Sequence, residues 1–277
     1  MTGQNAGNRI SFDAQGQEFL KSNTGETEFN YAANRPPLSE AISGRTVTLR
    51  IAEPDMKIVH AFDDKQVEWE IVIGPGQGDK GKVPYEAFEM APDIFFLSFL
   101  ARETESIGIA ADFKRGIATV VKGDLKDRKI ESITMSAFIE EAFNTKKSPS
   151  YHPPFSLGGT RLLNTYADNV AYEHIYLTRR YKTWLGCKGP QVGQADTEEY
   201  YAFKITDGVY YLYWNEKVLT TQMTFLFNFN QGYCVGQVFG DVEGTIVHNT
   251  IGAYTHLIHT KLAELPNVTR LDIYCGE

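Results

Sequence analysis

The sequence contains little cysteine and has no basic excess. Its three cysteines, Cys187, Cys234 and Cys275, are odd in number and far apart, which argues against a disulfide framework and against a thiolate metal site. The formal net charge of -8 argues against a nucleic-acid surface, because such surfaces normally carry a basic excess that releases counterions. We therefore expect a protein of the reducing cytoplasm that does not bind nucleic acid.

Long apolar runs are also missing. No uninterrupted run approaches the roughly 20 apolar residues of a membrane-spanning helix, and the opening MTGQNAGNRISFDAQGQEF contains no apolar signal region. The composition, 42% hydrophobic and 22% charged, is that of an ordinary globular protein. We expect a soluble chain without membrane contact, and its 277 residues suggest two domains.

An internal repeat indicates that the two domains are similar. The segment DIFFLSFLARETESIGIAADFKRG resembles DGVYYLYWNEKVLTTQMTFLFNFNQG in the spacing of its aromatic residues and in a final turn, where Phe113 matches Phe229. Further upstream, IVHAFDDKQVEWEIVI resembles LLNTYADNVAYEHIYL, which places Phe62 opposite Tyr166. A repeat with so long a period predicts a duplicated domain and not a solenoid.

The repeated segments predict an all-β fold, a tandem of two antiparallel β-barrels. Short alternating runs rich in Phe, Tyr, Ile and Val are separated by turn residues, as in barrels and sandwiches. We expect an N-terminal arm at 1–44, a first barrel at 45–130 and a second barrel at 157–277. Residues 131–156 would join the barrels through a helix in KIESITMSAFIEEAFN and the proline-rich linker TKKSPSYHPPF, and GAYTHLIHTKLAEL predicts a short C-terminal helix.

The strand faces differ between the two halves. Alternate residues of a strand share a face, so residue parity shows which side chains lie in one interior. The first interior is predicted to be hydrocarbon and structural, whereas the second is lined by phenol, imidazole and indole groups and is predicted to hold a ligand. The compared sets are Val67, Trp69, Ile71 and Ile73 with Tyr172, His174 and Tyr176, and Phe95, Leu97 and Phe99 with Tyr210, Leu212 and Trp214.

Glu216 is an acidic residue next to this aromatic face. It has the parity of Trp214 and would face the same interior if the strand continues. Burial among aromatic groups disfavours the charged form of a carboxylic acid, which lets it exchange a proton near neutral pH. The alternative is that Glu216 lies in solvent at the strand end, or pairs with Lys217 or an arginine. Both interpretations stay open.

The segments NTYADNVAYEH, YLYWNEK and GQVFG resemble the MoaF-like family, named for molybdenum cofactor biosynthesis protein F. The resemblance extends from about Tyr172 through the second half and is looser in the first half. It implies two lipocalin-like, or calycin-type, barrels. The sequence has neither a cysteine cluster for iron–sulfur chemistry nor a glycine-rich phosphate loop, so we expect no cofactor.

A weaker resemblance is to the phenolic acid decarboxylases, which are cofactor-free barrels of the same type. It implies that Tyr166 is a substrate-binding tyrosine and that Glu216 is the acid that protonates the substrate. The sequence departs from that family at Asn164, where the family has a tyrosine. The family's carboxylate-binding arginine has only Arg179 or Arg180 nearby.

The histidines allow several interpretations. His256 and His259 would share a face of the predicted tail helix, but a third ligand is missing and we expect no metal site. His174 either assists proton transfer or is a core histidine bonded to a tyrosine hydroxyl. Arg180 either binds an acidic group at the barrel rim or is solvated.

Two functions follow from this interior. The first is a cofactor-independent lyase, isomerase or cyclase that acts on a small aromatic or hydrophobic substrate, with Glu216, His174 and Tyr166 as catalytic residues. The second is a non-catalytic, lipocalin-like protein that binds a small hydrophobic molecule. A homodimer is an open alternative to a monomer. The predicted substrate-binding residues are Tyr172, Tyr176, Arg180, Trp184, Tyr201, Tyr210 and Trp214.

Overall fold

The computed structural model describes residues 29–142, 150–217, 219–242 and 244–261. Over these ranges the regular elements are all β-strands, and no helix that could cross a membrane is found there.

In the described part of the chain, sixteen antiparallel strands form two closed barrels of eight, one after the other along the chain. Each strand pairs with its neighbours in sequence, and the last strand of each barrel pairs with the first. The predicted tandem of two β-barrels is therefore confirmed. The first barrel consists of β1 (Thr46–Ile51), β2 (Met56–Phe62), β3 (Gln66–Ile73), β4 (Lys80–Ala91), β5 (Ile94–Arg102), β6 (Glu105–Asp112), β7 (Ile117–Lys126) and β8 (Lys129–Ile139). The second consists of β9 (Arg161–Ala167), β10 (Val170–Tyr176), β11 (Tyr181–Lys188), β12 (Ala195–Thr206), β13 (Val209–Asn215), β14 (Thr220–Asn228), β15 (Tyr233–Val242) and β16 (Thr245–His259).

The turn after the sixth strand is the same in both barrels, as the repeat predicted. Phe113 and Phe229 each follow that strand directly. Gly116 and Gly232 then adopt φ of 72° and 71°, a left-handed conformation that glycine adopts without steric strain. Each of these glycines donates its N–H to the carbonyl of the strand's last residue, at 2.8 and 2.9 Å.

The upstream match of the repeat is wrong. Phe62 ends β2, the second strand of its barrel, whereas Tyr166 lies in β9, the first strand of its barrel. In chain order β2 corresponds to β10 and β3 to β11. The sequence comparison failed because an aromatic residue followed by an acidic turn occurs both in the β2–β3 hairpin and in the β9–β10 hairpin.

Both predicted helices are also wrong over the described residues. Residues 129–139 form β8, which closes the first barrel on β1, and residues 252–259 belong to β16, which pairs with β15 and β9. Ile251, Ala253 and Leu257 of β16 alternate into the second interior, and this burial outweighs the local helical spacing. Residues 140–142 and 260–261 are described and are not helical, and residues 143–144 and 262–265 lie outside the described residues.

Three apolar clusters make up the core of the described part of the chain. One fills each barrel, and the third lies between the outer faces of the two barrels, where β4, β5, β7 and β8 face β13, β14 and β15. Phe96 and Tyr211 meet there with ring centroids 6.2 Å apart. The barrels therefore pack side by side, and each keeps an interior of its own.

Candidate functional site

Three adjacent strands of the second barrel carry a row of buried polar side chains. Tyr176 on β10 is the cross-strand partner of Lys182 on β11, and Lys182 is the partner of Glu198 on β12. Their exposed fractions are 1%, 0% and 0%. Within the described part of the chain, the Tyr176 hydroxyl, Lys182 Nζ and Glu198 Oε2 have no hydrogen-bond partner. Buried polar atoms in this state oppose folding, so such a row requires an explanation beyond stability. We call these three residues the polar row.

The first barrel has hydrocarbon at the same positions. Its second, third and fourth strands place Phe62, Val67 and Val83 in one cross-strand row. All three residues belong to or pack against the first barrel's apolar core. The fold therefore does not require the polar row, which distinguishes the second interior from the first.

Lys182 is a buried ammonium held against an indole. Its Nζ lies 3.7 Å from the ring centroid of Trp214. Burial lowers the pKa of Lys182 to about 8, and the negative charges of Glu216, Glu198 and Asp196 partly oppose this shift. The amine therefore loses its proton much closer to neutral pH than an exposed lysine does.

Glu198 is the acidic member of the polar row. Burial, followed by the nearby charge of Glu216, raises the pKa of Glu198 from its ordinary value of 4.5 to about 7. The backbone N–H of Lys217 donates to its Oε1 at 3.3 Å. Glu198 can therefore exist as an acid or as a carboxylate near neutral pH.

Glu216 follows β13 and points into the barrel. Its carboxylate accepts a hydrogen bond from the Trp214 indole at 2.7 Å and another from the Trp184 indole at 3.2 Å. The Lys217 ammonium instead donates to the Thr197 carbonyl. Of the two positions considered for Glu216, the structure therefore shows the one beside the aromatic interior, directly after the end of β13.

His174 lies in the same interior as a neutral ring. Burial and the charge of Lys182 hold the pKa of His174 well below its ordinary value. Asn164 Oδ1 accepts the Thr255 hydroxyl at 2.8 Å, which turns Asn164 Nδ2 toward His174 Nδ1 at 3.4 Å. This network assigns the ring proton to Nε2. His174 therefore offers an N–H donor on the side away from Asn164.

Tyrosines from the barrel wall and from the N-terminal segment form the next layer. Tyr31 donates to the Tyr172 hydroxyl at 2.8 Å, and Tyr172 donates to Gln191 Oε1 at 2.7 Å. The Tyr166 ring lies 5.7 Å from Tyr31 and 6.0 Å from Tyr172. Burial raises the pKa of Tyr166 and of Tyr172 well above the ordinary value, so both are neutral donors.

The other residues predicted for the site fall into two groups. Tyr210 is fully buried in the second interior. Tyr201 lies on the outer face, 46% exposed and stacked on Tyr213 at 4.9 Å. Arg180 is exposed and forms an ion pair with Glu199 at 2.6 Å. Tyr201 and Arg180 are therefore not part of the interior group.

The two histidines considered as metal ligands share the outer face of a strand. A register shift between Leu257 and His259 places His256 opposite Leu163 and His259 opposite Arg161, and these two partners lie on one face of β9. Across the described ranges, no group of three or more His, Cys, Asp or Glu side chains could hold a metal ion.

Sequence reasoning missed Lys182, Glu198 and Tyr31. The signal for the first two was residue parity, since Lys182 shares a face with Trp184 and Glu198 shares a face with Tyr200. Aligning the two halves strand by strand would have matched Val-x-Trp in β3 with Lys-x-Trp in β11. Tyr31 precedes the first strand and gave no periodic signal.

Comparison with known proteins matches both halves of the chain to domain models of one family. Residues 151–261 match the family model of the MoaF C-terminal domain, and residues 26–127 match that of the MoaF N-terminal domain. Protein MoaF of Klebsiella aerogenes is 24% identical over 245 residues, which cover 82% of this chain and 87% of the relative. A crystal structure from Burkholderia vietnamiensis, described as a candidate beta-lactamase, is 18% identical and covers 38% of this chain and 96% of its own, with a TM-score of 0.32.

Proposed function

This chain belongs to the MoaF-like family, and we propose that its second barrel is a cofactor-independent enzyme of the lyase, isomerase or cyclase type. Its substrate is a small aromatic or hydrophobic molecule bound in the barrel interior. Reactions of these types need proton transfer and a shaped, dry environment, both of which side chains alone can supply.

The polar row is the observation that supports an enzyme. Lys182 and Glu198 have pKa values of about 8 and about 7, so both can give and take protons at neutral pH. Retention of a hydrophobic ligand needs apolar walls and few orienting groups. A buried amine and a buried acid with unpaired atoms exceed that need, and the corresponding valines of the first barrel show that hydrocarbon fits the fold.

The neighbouring residues have roles that follow from their contacts. Glu216 and Glu198 are the acid–base pair, and the two indoles that donate to Glu216 fix its orientation. His174 donates from Nε2, and Tyr166 orients the substrate with a hydroxyl that stays protonated. Catalysis by such groups contributes about 10²- to 10⁴-fold for each well-placed proton transfer.

A binding protein is the second candidate function. The hydrogen-bonded chain of Tyr31, Tyr172 and Gln191 favours it, because these hydroxyls already have partners and are suited to orienting a ligand. In this case Glu216 contributes a hydrogen bond to the ligand and no proton transfer.

Tryptophan fluorescence can test whether the second barrel is the site. The chain has three tryptophans, and a Trp69→Phe variant keeps only Trp184 and Trp214, both of which contact Glu216. We expect some members of a panel of aromatic acids, phenols and aromatic aldehydes to change this fluorescence saturably. Product analysis of the same mixtures then distinguishes an enzyme from a carrier. A saturable fluorescence change in the wild type that is absent from the Trp69→Phe variant would contradict the proposal.

A further inference from the structure

The polar row also suggests a substrate class. We infer that Lys182 is a nucleophilic amine that forms a Schiff base with a small aromatic or hydrophobic aldehyde or ketone, assisted by Glu198 and Tyr176. This inference rests on the proposed function, because it assigns the substrate's reactive group within the same site.

The geometry around Lys182 supports this assignment. Its Nζ is fully buried, contacts the Trp214 ring at 3.7 Å, and has no hydrogen-bond partner in the described part of the chain. A structural lysine in a protein interior normally forms an ion pair or several hydrogen bonds. Here neither Glu198 nor Glu216 lies within ion-pair distance of the amine, as judged over the described residues. Desolvated lysines of this kind serve as nucleophiles toward carbonyl groups.

The two partners in the row supply what the condensation needs. The Tyr176 hydroxyl, which stays protonated because burial raises its pKa, can donate to the carbonyl oxygen. The neutral amine attacks the carbonyl carbon, and its proton passes to the oxygen. The carboxylic acid form of Glu198 then protonates the hydroxyl, which leaves as water while the C=N bond forms. The sum is amine, carbonyl and the carboxylic acid of Glu198 giving protonated imine, water and the Glu198 carboxylate, without oxidant or reductant.

The fraction of reactive amine is sufficient near neutral pH. With a pKa of about 8, about a tenth of Lys182 is neutral at pH 7. A lysine with an ordinary pKa of 10.5 is neutral to less than about 0.1% at that pH. Reaction with a carbonyl compound should therefore favour Lys182 over the exposed lysines.

Borohydride trapping tests the inference on the full chain. The protein is incubated with benzaldehyde at pH 7, reduced with sodium borohydride and mapped by peptide mass spectrometry. We expect a benzyl group on Lys182 at least about tenfold above any other lysine. Lys182→Met should abolish this label, and Lys204→Met, which removes a lysine beside Phe155 in the same barrel, should not. The wild-type peptide map decides the question even if Lys182→Met folds poorly.

Binding measured in parallel separates this inference from the proposed function. Benzaldehyde and benzyl alcohol are titrated into the Trp69→Phe variant, because the alcohol has the ring without the carbonyl. Saturable binding of benzaldehyde without a label on Lys182, or with label spread over surface lysines, would overturn the Schiff base and leave the site intact. Neither binding nor label for benzaldehyde and the other aromatic aldehydes of the panel would overturn the Schiff base. Absence of saturable binding for every compound of the panel would overturn both.

Discussion

Lys182 and Glu198 are cross-strand partners in the second barrel, at the positions where the first barrel pairs Val67 with Val83. The comparison lies within one chain and one fold, so it isolates what the polar pair adds. Because desolvation of two ionisable groups opposes folding, we attribute the retention of the pair to function and expect it to lower stability.

Replacing the pair by hydrocarbon should therefore not harm the fold. Lys182→Met with Glu198→Leu, of similar volume, is expected to leave the free energy of unfolding unchanged or to raise it by up to about 4 kcal/mol. Lys182→Met alone should be less stable than the double variant, because it removes the buried cation beside Glu198 and Glu216 and leaves Glu198 buried. Urea unfolding measures these changes in the free energy of unfolding. The control is the double variant Arg180→Met with Glu199→Leu, which removes an exposed ion pair and should change the free energy of unfolding by less than about 1 kcal/mol.

The same pair predicts an unusual dependence of stability on pH. The pKa of Glu198 is raised from 4.5 to about 7 on folding, so the unfolded chain loses this proton first and stability falls from pH 4.5 to 7. The pKa of Lys182 is lowered from 10.5 to about 8, so the folded chain loses this proton first and stability rises from pH 8 to 10.5. The unfolding free energy of the wild type minus that of the double variant should therefore be lowest between about pH 7 and 8. A difference that increases between pH 4.5 and 7 would contradict the assignment of Glu198.

The N-terminal segment is expected to stabilise the second barrel through one hydroxyl. Tyr31→Phe removes the 2.8 Å hydrogen bond to Tyr172 and should lower the free energy of unfolding by about 0.5–1.5 kcal/mol. Tyr254→Phe is the matched control, because that side chain is 55% exposed and should have almost no effect. Equal effects of the two substitutions in urea unfolding would show that the buried contact contributes nothing.

The sequence predicted the barrels because their strands are short, alternate in polarity and recur in two halves. The prediction failed for β8 and β16, whose apolar residues also fit a helical spacing. In the structure, Met135 and Ile139 of β8 turn into the first interior, and the strand's partner β1 is far away in sequence. Pairing between such distant segments cannot be inferred from the spacing within either one.

The site was predictable to the extent that residue parity determines it. Tyr172, His174 and Trp214 share the second interior, as alternation from neighbouring residues implied. Lys182 was overlooked because an alignment shifted by one strand compared β3 with β10 in place of β11. Glu198 was overlooked because it lies in an acidic segment, residues 196–199, and a run of acidic residues normally indicates a solvated surface.

The central claim is that Glu198 and Glu216 transfer protons in the second barrel, and turnover of matched glutamine variants tests it most directly. Compounds that bind the Trp69→Phe variant are incubated with wild type, Glu198→Gln, Glu216→Gln and Glu199→Gln, and product formation is followed over time. We predict that wild type and the outer-face control Glu199→Gln convert at least one compound at similar rates, while the two interior variants lose about 10²- to 10⁴-fold in kcat. Recovery of every bound compound unchanged from wild type, or conversion by Glu198→Gln and Glu216→Gln at the wild-type rate, would contradict the account.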